Sequence, residues 1–250
     1  MTHLASRRAT GALPLALASL ATLLALRTVC AADPVPPFTA RYDVAWHGIT
    51  AGISTLTLAP GPDGAFTYAS NIEASGLFSL VFPDALKQSS TFTLRDGQVA
   101  PVAYQETGMA RDHSEDVTLA FNWDLRQVSG TAGSKTVSAP FPDGVLDPMS
   151  VQVELMRELR AGQDPTHFTL WDKDEAKQYR YTREDRVTLA TKLGKIDAVI
   201  YRSDRPDSDR VTRLWLAPSL GWLPVQAARS RKGSTDLSMT ITSTSIKPGS

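Results

Sequence analysis

Residues 144–162 read Gly-Val-Leu-Asp-Pro-Met-Ser-Val-Gln-Val-Glu-Leu-Met-Arg-Glu-Leu-Arg-Ala-Gly, the one long helical pattern in a chain otherwise patterned as strands. Asp147 stands where an N-cap acceptor is needed. Pro148 follows at the first helical position, where its missing N–H costs nothing. Leu146 precedes the cap and can staple onto Val151. Gly162 comes just after Ala161, the usual place for a left-handed residue that ends a helix. Between these signals Val151, Leu155 and Leu159 recur at four-residue spacing, and Met149, Val153 and Met156 widen the apolar side. Gln152, Glu154, Arg157, Glu158 and Arg160 are expected to keep the opposite side wet. Such a helix spans about 21 Å, enough to lie across a sheet.

On either side of it the pattern is strand-like. Phe38, Ala40, Tyr42, Val44 and Trp46 alternate with polar partners, and so do Val117, Leu119, Phe121 and Trp123. Turn signals at Pro60–Gly64, Arg95-Asp-Gly97, Gly194 and Ala217–Gly221 set hairpin spacing. Gly76–Phe82 is an apolar run ended by Pro83. Pro224 has no N–H for a ladder, so its strand must be an edge or carry a bulge there. About a dozen strands with one helix between them exclude a βαβ pattern. The expected fold is mainly β: one strongly curved antiparallel meander, half-barrel-like, with a single central helix on its concave side. Neither half has a linker-like composition and no repeat is visible, so residues 38–247 are expected to form one domain.

The N-terminus carries an export pattern. Arg7 and Arg8 begin it, Gly11–Leu26 is rich in Ala and Leu, and small residues end it at Val29-Cys-Ala-Ala32. The apolar run contains Pro14 and stops at Arg27, short of the roughly 20 residues that a spanning helix needs. Residues 1–31 are therefore expected to be a signal peptide cleaved after Ala31 or Ala32, residues 32–37 an extended leader, and the protein periplasmic. Cys30, the single cysteine, leaves with the signal on this reading, so no disulfide or thiolate ligand is expected. After Ala31 the chain has 23 Lys and Arg against 26 Asp and Glu. That near-balance gives no electrostatic argument for nucleic acid, nor for an anionic membrane surface.

Four stretches resemble a family of exported bacterial proteins known as domain of unknown function 3108. They are Tyr42–Gly52, Asp147-Pro-Met-Ser150 with its helix, Lys192–Asp197, and Arg213–Pro218 with Leu223-Pro-Val225. The resemblance covers about Phe38 to Ile246. It implies export, a β-rich single domain and no established activity, and it supplies no catalytic residues.

The residues themselves point weakly to chemistry. His47, His113 and His167 lie far apart and lack metal-ligand spacing, so no metal or cofactor is expected. Asp204, Asp207 and Asp209 are interleaved with Arg202, Arg205 and Arg210, which suits an ion-paired loop better than calcium. No nucleophile elbow or phosphate loop occurs. One enzymatic reading stays open, a periplasmic hydrolase acting on envelope material with Asp112, His113 or Glu115 as acid–base groups. The reading preferred here is a non-enzymatic binding or envelope-maintenance protein. Its apolar or lipid ligand would lie under the helix, against Met149, Val151, Leu155, Met156, Leu159 and Trp215. Carriers of lipoproteins between bacterial membranes are similar in outline, a half-open sheet with a helical lid.

Overall fold

The computed structural model describes residues 2, 35–76, 78–81, 85–108, 110 and 112–247. The chain divides into two units, Met1–Cys30 and Ala31–Ser250, and the fold below is that of the second. Apart from Thr2, the expected signal and cleavage site lie outside the described residues.

The fold is mainly β, with 64% of the described residues in strands of one large sheet that is not closed. Eight antiparallel strands come first: β1 (Phe38–Trp46), β2 (Ile49–Pro60), β3 (Phe66–Ala74), β4 (Leu86–Arg95), β5 (Gln98–Thr107), β6 (Val117–Asn122), β7 (Gln127–Ala132) and β8 (Lys135–Pro140). A two-residue strand, β9 (Val145–Leu146), leads into the central helix. Six more strands follow: β10 (His167–Asp172), β11 (Glu175–Thr191), β12 (Gly194–Asp204), β13 (Arg210–Ala217), β14 (Leu223–Arg231) and β15 (Ser234–Thr244). In space the order runs from β8 down to β1, then from β15 down to β9, so the first and last long strands pair at the middle. Among the described residues only β9 pairs in parallel, with β10. The β9 end curls back to lie against β5 without pairing to it.

The expectation of a single helix needs correction. Within the apolar run that begins at Gly76, Phe78–Val81 forms a short helix, α1, in addition to the central α2 (Ser150–Arg160). Among the described residues no helix is long and apolar enough to cross a membrane.

The cap of α2 is as the sequence suggests, although regular helix begins two residues after Pro148. The Asp147 carboxylate accepts the N–H groups of Met149 and Ser150, each at 2.8 Å. Gly162 closes the other end at φ 73°, in the left-handed region that favours glycine. Pro224 sits in a central strand, and the ladder breaks there as required. Leu216 faces Pro224 while Trp215 faces Gln226, which leaves Val225 bulged.

Strand registers define two faces. Phe38, Leu58, Tyr68, Ser90 and Tyr104 stand side by side across β1–β5, and Ser90 touches the start of α2, so theirs is the inner face. Val44, Met239, Ala227, Leu214 and Tyr201 continue that inner face across the other half. Because side chains alternate along a strand, Asp43, Thr240, Gln226, Trp215 and Ile200 form an outer row. The β11–β12 hairpin bends over that outer face, where Lys192 at its tip pairs with Asp43 at 2.7 Å.

Candidate functional site

The interior around α2 is the place where the fold gathers chemistry. Leu155 and Met156 are fully buried, and Met149, Val151, Val153 and Leu159 nearly so. The expectation of a wet opposite side is overturned: Glu154 and Arg157 are also buried, with 4% and 7% exposure. The reason is topological. A helix laid on an open sheet keeps one side in water, whereas α2 lies within a sheet that curls around it. Only Arg160 is exposed, and Gln152 and Glu158 are half-buried.

Burying charge is costly unless the charges are paired. Arg157 meets Glu154 with two hydrogen bonds, Nε to Oε2 at 2.8 Å and Nη2 to Oε1 at 2.7 Å. Glu154 Oε2 also accepts the N–H of Val99 at 3.1 Å. Val99 lies in the part of β5 that β6 does not reach, so the helix supplies the acceptor that a neighbouring strand would have given.

At the helix start Asp147 is fully buried, and the Ser90 hydroxyl donates to its second oxygen. Burial pushes the Asp147 carboxyl up to about 6, against the pull of its hydrogen bonds from Ser90, Ser150 and Met149. The inner wall beside it is rich in hydroxyls. Ser54, Ser70 and Tyr68 are buried there, and the Tyr104 hydroxyl donates to Glu106 at 2.7 Å. Among the described residues the Ser54 hydroxyl is buried without a hydrogen-bond partner, and the Tyr68 hydroxyl is buried beside the Gln152 amide. Glu158, further along the helix, is pushed up to about 7, first by burial and then by the charge of Glu154.

These two acids set a pH dependence. Each carboxyl takes its proton more readily in the folded than in the unfolded chain, so the native state holds more protons between about pH 4 and 7. Their contribution to stability is therefore complete below the ordinary carboxylate range near 4, and it is lost as the pH rises through about 6 and 7. The urea midpoint is expected to fall from pH 5 to pH 8, and Asp147→Asn should flatten the lower part of that fall. A midpoint that rises over the same range would contradict the burial of these groups.

Of the six residues assigned from the sequence to a ligand site, the fold brings five together: Val151, Leu155, Met156 and Leu159 on α2, and Met149 just before its first residue. Trp215 does not join them. It is half-buried in the outer row, between Ile200 and Gln226, and its strand neighbours Leu214 and Leu216 take the inner face instead. Strand alternation decides this, and a count of aromatics does not reveal it.

The alternative acid–base group lies elsewhere. Asp112, His113 and Glu115 occupy an exposed turn before β6. His113 Nδ1 is 3.0 Å from Asp116, and the Ser114 hydroxyl donates to Asp112 at 2.6 Å. That bond and the Ser114 N–H hold the Asp112 carboxyl below its usual range. The serine thus leans on a carboxylate and not on the histidine, unlike a nucleophile–base pair. The aspartates of the 204–209 loop are ion-paired. Arg180 and Arg202 share Asp204, Arg205 meets Asp207, and Arg231 meets Asp209. Among the described residues no group of three His, Cys, Asp or Glu side chains is placed to hold a metal ion.

Ser90, Glu154 and Arg157 were not identifiable as interior contacts from the sequence. The Glu154–Arg157 spacing of three residues on a helix hints at a pair, but that spacing is equally common on solvated faces.

No curated protein matches the chain. Among solved structures it is similar to a β-barrel-like protein of domain of unknown function DUF1849 from Brucella abortus. The TM-score is 0.50 at 12% identity, covering 86% of this chain and 99% of that one. A candidate exported protein with a YmcC-like fold from Bacteroides fragilis gives 0.35 at 9% identity, covering 85% and 97% of the two chains. A candidate lipoprotein from Parabacteroides distasonis gives 0.33 at 7% identity, covering 86% and 97%. The first of these likenesses bears on the fold alone. The family model described as protein of unknown function, DUF3108, matches residues 41–242, and the chain belongs to that family.

Proposed function

We propose that this is a non-enzymatic protein of the bacterial envelope, exported to the periplasm, that takes up an apolar or lipid ligand when α2 is displaced from the interior. On this reading the curled sheet acts as a half-barrel and α2 as its resting plug. The observation that carries it is the pairing of an apolar helix side with buried ionisable contacts. Met149, Val151, Leu155, Met156 and Leu159 offer a lipid-like surface. Asp147 and the Glu154–Arg157 pair hold the helix by groups that are costly to bury. A helix serving only as core would be held as well or better by apolar residues of similar volume. Buried polar contacts instead favour one seated position that can be exchanged for another state.

The cavity beside the helix is lined by Leu58, Phe92, Val99, Val153 and Arg157 among others, and its volume is about 10 Å³. That is the space of a single water, so an acyl chain needs the place that α2 now fills. Titration of the mature protein with fluorescent fatty acids of several chain lengths tests the reading. Saturable binding by the folded wild type is expected, with a blue-shifted probe. Absence of binding at every chain length would leave α2 as a fixed core element and end the carrier reading.

A further inference from the structure

The nearly balanced charge of the whole chain conceals an uneven distribution along the sequence. From Phe38 to Asp172 the sequence holds 8 Lys and Arg against 16 Asp and Glu; from Glu175 to Thr244 it holds 13 against 8. The second segment is the contiguous run of strands from β11 to β15. Within the strands themselves, β11 to β15 carry 10 Lys and Arg against 6 Asp and Glu, so this run of the sheet is basic, while the acidic excess of the first segment lies outside its strands.

Within this basic run, arginines are placed where repulsion is greatest. Arg202 of β12 stands directly opposite Arg213 of β13, and Arg210 of β13 directly opposite Arg231 of β14. Like charges at directly paired positions destabilise a sheet. Arg202 and Arg213 lie in one outer row with Ala228, Ser238 and Ala45, so their guanidinium groups face away from α2. The acids nearby offset only part of the charge. Arg180 and Arg202 divide Asp204 between them, and Arg213 takes Glu184 at 2.8 Å. Three guanidinium groups thus meet two carboxylates on a surface that keeps Arg180, Arg202 and Arg213 between 31% and 49% exposed.

We propose that the outer face of β11–β14 docks on a membrane surface through the phosphates of anionic lipid headgroups, with Arg180, Arg202 and Arg213 at its centre. The planar fork of arginine suits phosphate oxygens. An anionic surface would also relieve the Arg202–Arg213 like-charge pair, which lies on this face. Docking through this face leaves the interior around α2 undisturbed, so the inference does not depend on the ligand reading.

Co-sedimentation of the mature protein with vesicles of 30% phosphatidylglycerol in phosphatidylcholine tests it, with pure phosphatidylcholine vesicles and free inorganic phosphate as the other arms. Binding to the anionic vesicles alone is expected, falling as salt is raised. A basic residue near an anionic surface is worth about fivefold in affinity. Arg202→Gln and Arg213→Gln should each lose about that factor, while Arg126→Gln, just before β7 and outside the patch, should lose nothing. Circular dichroism of each variant separates lost binding from lost folding. Equal binding to both vesicle types, or competition by millimolar phosphate at constant ionic strength, would overturn the proposal. So would salt-sensitive dimers without vesicle binding, since acidic side chains of a second copy would then be the partner.

Discussion

Replacing Glu154 by alanine is expected to destabilise the protein by about 3–5 kcal/mol, the usual consequence of leaving a buried charge without its partner. The Arg157 side chain is only 8% exposed and has two of its hydrogen bonds on Glu154. Its remaining carboxylate neighbour, Glu158, lies 3.9 Å away. The substitution also removes the acceptor of the Val99 N–H on β5. Equilibrium urea unfolding of the variant measures the loss. The double variant Glu154→Leu, Arg157→Met should recover much of it, because two apolar side chains can occupy the same space without a charge. If the single variant loses less than about 1 kcal/mol, the pair is solvated and the helix is not enclosed.

Leu155→Ala is expected to cost roughly 2–5 kcal/mol, since Leu155 is fully buried at the middle of α2. Leu155→Asp should cost more, because no cation is positioned to meet the new carboxylate. Thermal unfolding followed by circular dichroism distinguishes these from a surface helix, for which both substitutions would stay within about 0.5 kcal/mol.

How far the sequence reaches is clearest at α2 itself. Its cap at Asp147 and its end at Gly162 were legible because both rest on local backbone chemistry. The alternating strands and most turns were legible for the same reason. The burial of Glu154 and Arg157 was not, because an amphipathic pattern reports one apolar side and says nothing of what covers the other. That second side meets β5, where Glu154 accepts the Val99 N–H, and Arg157 lies among Leu58, Phe92 and Val99, a long-range placement that no local periodicity reports. Trp215 failed for a related reason. Its strand is apolar at Leu214, Trp215 and Leu216 in succession, so composition cannot tell the inner from the outer face. The register against β12 and β14 decides it. Charge followed the same rule, since a net count over the whole chain erased the basic excess of β11 to β15.

Native-state hydrogen exchange of the α2 amides tests the central claim most directly, that the helix is a plug which can leave a folded sheet. The amides of Glu154–Leu159 should exchange through an opening of lower free energy than those of β2, β3 and β4, with little dependence on low denaturant, and a bound lipid should change that opening. If these amides exchange only with global unfolding, at the same free energy as the central strands, α2 is an inseparable part of the core and the account is contradicted.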